Sequence, residues 1–523
     1  TMVDWTRRGL LKVGSAGLTA SLAGLPSAAP AQGTSQPKRG GTVTVALTQA
    51  PPSLDAQLTS AQVARDINLH MYETLYARDE HAGVVPDLAQ GSEISKDGLT
   101  HVIALRPGVK FHNGKSMDSG DAVASLERYQ KIGLAKVLLS GVDKIEASGP
   151  LEVTVRMKKV QSNFLDTLSS PGTPLAIYPA DEARKDPKDF KFIGTGPMKF
   201  VEYAPDSHAT LERFADYTSN PNYTKRDGFA GRKEMFIDRA VFRFMPESGA
   251  RNAAIKTGEV LINETTDGPT AKQLQVDSRF QVMKLLPFAI QIVKFNHAQA
   301  PCSDVNFRRA VAACLNMEET LAIAYPDIYK LDGGLLYGYS PYYTKAGTEL
   351  YNINDPTKAK EWLAKSSYKG ETLTFITDNT RPDTDTATDI KEQLGQIGIE
   401  IEVKVSDWPT VSSLGFTPNG WHFWTHGLGI EPYEGPAKLM SIWSNGISQI
   451  KDDPAIDKMY ADLLAELDME KRKAIFAQFQ TYMYENAVTV SLGDYGMFQV
   501  VSSRIKNFVP YRIPRLWCTW LES

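Results

Sequence analysis

The chain has 523 residues, of which 42% are hydrophobic and 23% charged, so its composition is that of an ordinary globular protein of several domains. A formal net charge of -4 excludes a broadly basic nucleic-acid-binding protein, which would need a surplus of Lys and Arg. Three cysteines exclude a disulfide scaffold, and the body has no apolar run of about 18 residues that predicts a membrane-spanning helix.

The first 31 residues have the order of regions that is typical of an export signal. The pair Arg7-Arg8 stands before a weakly apolar stretch, residues 13–25, and Ala29-Pro30-Ala31 supplies a small-residue cleavage site. The paired arginines resemble a twin-arginine signal, and the alternative is an ordinary secretory signal with a chance Arg pair. Both alternatives predict a periplasmic mature protein, and the absence of Cys at the cleavage point predicts that it has no lipid anchor there.

The sequence of the first half of the body predicts strands and one well-capped helix. Residues 42–47 form a β-branched run between Gly and Pro pairs, and residues 101–105 and 151–157 are two further strands. Asp118 is placed to cap a helix, with Asp121 in its first turn, because carboxylates accept hydrogen bonds from the free N–H groups there.

The second half predicts alternating helices and strands. Apolar residues from 307 to 315 recur with the 3.6-residue period of a helix, and Asn316 starts the next helix. A strand at 373–377, a helix that ends at Gly398 and a strand at 399–405 form a βαβ unit, which requires a parallel strand pair. The fold class predicted from these elements is α/β, with at least two sheets.

Short motifs follow one another through almost the whole mature chain. They occupy residues 97–100, 105–114, 121–128, the turn Gly194-Thr195-Gly196-Pro197, the helix segment Phe307-Arg308-Arg309-Ala310-Val311, a helix start at 355–360, and residues 393–399. Each motif is weak alone. In this order they resemble family 5 of the extracytoplasmic solute-binding proteins, the oligopeptide-, dipeptide- and nickel-binding group that supplies ABC importers.

The resemblance implies a two-lobed periplasmic binding protein fold with a two-strand hinge, an extra inserted subdomain and a ligand cleft between the lobes. The crossing strands would be residues 292–296 and 488–492. The implied segments are the signal peptide at 1–31, lobe one at 33–289 with the inserted subdomain at about 76–190, lobe two at 290–492, and a C-terminal tail at 493–523 that returns to lobe one.

The resemblance also implies a function. The protein would be the periplasmic substrate-binding component of an ABC transporter, capturing a peptide or peptide-like small solute by cleft closure and delivering it to the membrane permease. The alternatives are a non-peptide solute (an opine, a metal chelate or a sugar) and a role as chemoreceptor adaptor. We expect no enzyme, because the usual hydrolase motifs are missing. We also expect no cofactor, no nucleic-acid partner and a monomer.

Aromatic residues concentrate in one segment of the predicted lobe two. Of the eight Trp, Trp408, Trp421, Trp424 and Trp443 lie between residues 408 and 445. Aromatic rings offer a large contact area at little entropic cost, so we expect Trp424, Trp408 and Trp421 to line the cleft. For Trp408 and Trp443 a place in the core of lobe two is an equal alternative.

Five further residues complete the predicted ligand-binding set. Gln49 follows the first strand, whose end faces the cleft in relatives, although a capped Pro turn explains it equally well. Thr195 lies in the tight Gly-Thr-Gly turn, and Tyr495 lies just past the returning hinge strand. His426 and Glu431 belong to the Trp-rich segment.

One position departs from the resembled family. Its peptide-binding members carry an Asp shortly before a Pro, where it holds the free amine of the peptide. Here the Pro is Pro432, and the residue four positions earlier is Leu428. Simple peptides with a free amine should therefore bind weakly unless Glu431 or Glu434, which we expect to be solvated loop charges, replaces the missing acid.

We expect neither a metal site nor a disulfide that the sequence can specify. His422 and His426 have the spacing that clamps a metal on a helix, but their segment does not have a helical pattern. A predicted helix separates Cys302 from Cys314 by more than disulfide reach, so both should be free buried thiols. A pairing of Cys518 stays open.

Overall fold

The strands form where β-branched and aromatic runs meet Gly, Pro or Asp boundaries. The computed structural model describes residues 36–522, and the predicted export signal lies outside them. In chain order the strands are β1 Thr42–Leu47, β2 Tyr76–Arg78, β3 Val84–Pro86, β4 Ala89–Ile94, β5 Thr100–Leu105, β6 Val142–Gly149, β7 Glu152–Met157, β8 Met198–Ala204, β9 His208–Arg213, β10 Arg226–Asp227, β11 Ala230–Gly231, β12 Arg239–Phe244, β13 Ile262–Thr266, β14 Phe280–Phe295, β15 Tyr329–Lys330, β16 Leu373–Asp378, β17 Ile401–Ser406, β18 Phe423–Leu428, β19 Thr489–Ser502, β20 Ile505–Lys506 and β21 Trp520–Leu521.

Asp, Asn and Pro residues set many of the helix starts. Asp118 accepts from the Asp121 N–H and Asp121 accepts in return, so the predicted cap is confirmed as a capping box. The helices are α1 Gln62–Met71, α2 Ser119–Ile132, α3 Phe164–Leu168, α4 Ala180–Ala183, α5 Ser248–Thr257, α6 Gly268–Leu274, α7 Val305–Cys314, α8 Met317–Ala324, α9 Pro356–Ala364, α10 Arg381–Gly395, α11 Trp408–Leu414, α12 Glu431–Glu434, α13 Pro436–Ser441, α14 Pro454–Ala465 and α15 Met469–Glu485.

One large sheet runs through the body of the protein. Its strand order is β17-β16-β18-β14-β19-β13-β1-β12-β9-β8, with β15 added at β19. β16 and β17 pair in parallel on either side of α10, which confirms the predicted βαβ unit. A separate four-stranded sheet, β4-β5-β7-β6, packs with α2 around its own core, which includes Ile103 and Leu126.

The fold is two-lobed, and the antiparallel pair β14–β19 is the two-strand hinge. The pairing runs from Phe280 opposite Ser502 to Lys294 opposite Thr489. The sequence predicted only five residues of each crossing strand, but β14 has 16 residues and β19 has 14. Both strands continue past the crossing because each is part of the sheet on both sides. The residue limits of the lobes stay a prediction.

Two large cores lie on either side of the crossing. Phe295, Phe307 and Phe423 belong to the core that α7, α8 and α10 cover. The other core joins Val43 of β1 to Trp443 and further residues from the predicted lobe two, so the lobes are in contact. No helix among residues 36–522 is long and apolar enough to cross a bilayer.

Candidate functional site

The lobes meet beside the hinge, where the chain leaves β18, and we call this contact region the seam. The Arg512 guanidinium donates to the carbonyls of Phe288 at 2.9 Å and Gly429 at 3.0 Å. It also lies over the rings of Tyr337, at 4.8 Å, and Tyr433, at 4.6 Å. A single buried cation near the C-terminus therefore joins the hinge strand β14 to the segment that follows β18.

Glu434 is a buried link between the lobes, so the expectation that it is a solvated loop charge is wrong. Its side chain is 5% exposed and accepts from the Ser170 hydroxyl at 2.6 Å and the Gly172 N–H at 2.8 Å. A Cβ at Gly172 would lie 2.8 Å from the same carboxylate, so a larger residue there would displace it. Ser162 adds another link, donating from its N–H to the Leu464 carbonyl at 2.9 Å.

Lobe one faces this seam with buried carboxyl groups from α1 and β13. Asp66 is fully buried and accepts from Gln62 at 2.9 Å, while Gln62 also donates to the Arg512 carbonyl at 2.6 Å. Glu264 lies beside Asp66, and burial raises the pKa of both carboxyl groups. Arg65 donates to the Ser60 carbonyl at 2.6 Å and has no ion-pair partner among residues 36–522. The seam therefore combines buried carboxyl groups of raised pKa with a guanidinium group.

Trp424, His426 and Trp408 come together on one face of the β14–β18 pair. The Trp424 ring lies 4.4 Å from the His426 ring and 6.0 Å from the Trp408 ring. Trp424 is 1% exposed, whereas Trp408, at the start of α11, is 50% exposed. Burial lowers the pKa of His426 to about 3. We call these three residues the aromatic face. Trp408 is its solvent-accessible cover, and Trp424 is its buried floor.

A lysine that the sequence prediction missed lies under the aromatic face. Lys294 is opposite Trp424 in the β14–β18 register and is 1% exposed. Its Nζ lies 4.3 Å from the Trp424 ring, 4.3 Å from the Phe416 ring and 5.7 Å from the Trp421 ring. Burial lowers its pKa to about 7. The available signal was a charged residue within the apolar run 289–295.

Two predicted ligand contacts lie in the interior. Trp421 is 0% exposed and donates from Nε1 to the Thr417 carbonyl at 2.8 Å. Thr195 is 1% exposed, and its hydroxyl donates to Glu73 at 3.0 Å. Neither side chain reaches a surface in this geometry, because each is already committed to packing and an internal hydrogen bond.

The remaining predicted contacts are at least partly accessible. Tyr495 stacks on Tyr325 with ring centroids 4.1 Å apart, beside the hinge. Glu431, at the start of α12, is partly exposed, and burial raises its pKa. Gln49 is exposed just after β1 and is not brought to the aromatic face. Their contact with a ligand stays a prediction.

The geometry does not use the His pair as a metal clamp. His422 accepts the Thr374 N–H at Nδ1, 3.0 Å away, while His426 belongs to the aromatic face. Within residues 36–522 no group of three or more His, Cys, Asp or Glu residues is arranged to hold a metal ion.

Comparison with known proteins shows which family this chain matches. The model of the family described as "Bacterial extracellular solute-binding proteins, family 5 Middle" matches residues 83–449, more than half of the chain. A glutathione-binding protein of Pectobacterium atrosepticum is 22% identical, with 87% of this chain and 89% of the relative covered.

Solved structures show the same fold. An ABC transporter substrate-binding protein from Listeria monocytogenes superposes with a TM-score of 0.80 at 21% identity, covering 93% of this chain and 100% of the other. An oligopeptide-binding protein from Bacillus subtilis, in complex with a nonapeptide, superposes with a TM-score of 0.76 at 20% identity over the same shares.

Proposed function

The chain belongs to family 5 of the bacterial extracellular solute-binding proteins, and from this membership we propose that it captures a peptide or peptide-like solute and delivers it to the membrane subunits of an ABC importer. Family members are extracytoplasmic binding proteins and not enzymes. The observation that carries the proposal is the two-lobed body joined by β14 and β19, with buried polar groups collected where the lobes meet.

The proposed mechanism needs no bond chemistry. A ligand shifts an open–closed equilibrium only through its higher affinity for the closed form. A micromolar dissociation constant corresponds to about 8 kcal/mol, which is enough to hold two lobes together. A crossing of two strands concentrates the motion in few backbone dihedrals, so the lobes turn as rigid bodies.

The proposed solute has no free amine at the position that peptide-binding relatives use. Leu428 is 8% exposed and its side chain carries no charge, so it does not pair with an amine. A peptide whose amine is modified or displaced, as in a γ-linked peptide, suits this site better than a simple tripeptide. The similarity to a glutathione-binding protein supports this choice.

The proposal extends to the state of the mature protein. The Arg7-Arg8 pair supports export by the twin-arginine route, and the absence of Cys near Ala31 supports a protein without a lipid anchor there. We infer that it acts as a monomer, because one chain supplies both lobes and the hinge.

The test is calorimetric titration of the purified mature protein with glutathione, unmodified tripeptides and N-acetylated tripeptides. Saturable one-to-one binding of at least one peptide class is expected, with unmodified tripeptides the weakest. Trp362→Ala, a Trp on α9 away from the hinge, is the matched control for Trp408→Ala. If none of the peptides binds, the peptide proposal is wrong, and the same assay with opines and metal chelates then addresses the alternatives.

A further inference from the structure

Lys294 is a buried cation without an anionic partner. It is 1% exposed, and its hydrogen bond is to the Gly415 carbonyl at 3.4 Å. Residues 36–522 supply no carboxylate that pairs with it. An unpaired buried ammonium destabilises a fold, and an apolar residue here would match Ile290 and Ile292 on the same face of β14. Three aromatic rings contact this ammonium but none of them is an anion, so its charge is left without a carboxylate.

Two more polar nitrogens on this face lack partners. Trp424 Nε1 and His426 Nε2 are both buried without a hydrogen-bond partner within the described chain. Trp424 lies opposite Lys294 in the strand register, and His426 follows two residues along on the same side of β18. Native proteins pair nearly all buried polar groups, so these two nitrogens beside the Lys294 ammonium are available to a polar ligand.

The cover over these nitrogens is thin. α11 and its continuation to Phe416 lie directly on Trp424, since a Cβ at Gly415 would lie 2.1 Å from the Trp424 ring. The two rings that close the site, Trp408 and Phe416, are 50% and 54% exposed. Both rings lie outside β14 and β18, so a movement of either ring would leave these strands intact.

We propose that Lys294 and Trp424, with His426 at their side and Trp408 and Phe416 as the cover, form a subsite for a carboxylate of the solute. The proposal rests on the proposed function and names the ligand class: a peptide-like solute that places an acidic group in lobe two. One carboxylate oxygen accepts from the ammonium and the other from the indole N–H. Charge-assisted hydrogen bonds of this kind are strengthened where water is excluded.

The test compares acid and amide forms of the same probes. The probes are glutathione and an N-acetylated tripeptide without acidic side chains, each also in a form in which every carboxyl group is amidated. They are titrated into the wild-type protein, Lys294→Met and Trp424→Phe. The wild type should bind the acid forms at least tenfold more tightly than the amides. Lys294→Met should abolish this preference, and Trp424→Phe, which removes the N–H donor and keeps an aromatic ring, should reduce it. Lys284→Met, an exposed lysine of the same strand, should leave it unchanged.

The outcomes separate the two proposals. Equal affinity of acid and amide forms for the wild type overturns the carboxylate subsite while the peptide-binding function stands. An acid preference that survives in Lys294→Met also overturns it, and circular dichroism of this variant shows whether it is folded. If no carboxylate probe binds the wild type, the subsite and the proposed function both fail.

Discussion

Replacement of Lys294 by Met should stabilise the protein at neutral pH. Burial lowers the pKa of this lysine from 10.5 to about 7, and each pKa unit corresponds to about 1.36 kcal/mol. The folded state at pH 7 therefore carries a penalty of about 4 kcal/mol, which Met removes. A chain of this size unfolds with an entropy of about 1 kcal/mol/K, so the Tm should rise by about 4 °C.

The pH dependence identifies the cause of this stabilisation. Because the folded pKa lies below the unfolded one, the unfolded state holds the extra proton between pH 7 and 10.5, and wild-type stability rises with pH across this window. Thermal melts followed by circular dichroism should show a variant–wild-type difference that shrinks to about 1 °C at pH 10. Lys284→Met is the control. A difference that is absent at pH 7, or equally large at pH 10, refutes the reasoning.

Three further predictions address the aromatic face, the seam and the hinge strand β19. Trp408→Ala should weaken the binding of a peptide ligand by about 1 kcal/mol in calorimetry, with Trp362→Ala unchanged, and equal affinity would remove Trp408 from the site. Glu434→Ala should lower the Tm, since hydrogen bonds to a buried carboxylate contribute about 1.5–3 kcal/mol each, and an unchanged melt contradicts this role. Burial raises the pKa of Asp494 to about 7, so the stability of the folded state falls as pH rises from 3.8 through 7. Asp494→Asn should therefore raise the Tm at pH 8 but not at pH 3.5. Equal Tm shifts at the two pH values would disprove this cause.

Local patterns predicted the elements whose causes are local. The β-branched run of β1 has the predicted limits, and the Asp118–Asp121 capping box is made by residues three apart. The hinge was predicted in the right place but too short, because the length of β14 and β19 depends on partner strands far away in sequence. The family resemblance supplied the two-lobed arrangement, which periodicity alone does not specify.

The site was harder to predict because its properties depend on distant contacts. Glu434 has the sequence setting of a loop charge, yet Ser170 and Gly172, more than 260 positions away, bury it. Trp421 and Trp424 share one sequence segment, but only the structure shows that the Trp421 indole donates a hydrogen bond to the Thr417 carbonyl. Lys294 was overlooked because a strand pattern does not reveal whether a charged side chain points to solvent or into an aromatic cluster.

Small-angle scattering tests the central claim, that ligand draws the two lobes together about β14 and β19. The radius of gyration of the mature protein is measured alone and at a ligand concentration that calorimetry shows to be saturating. The account predicts a smaller radius with ligand, and the same radius with and without an amino acid that does not bind. An unchanged radius at full occupancy would contradict it.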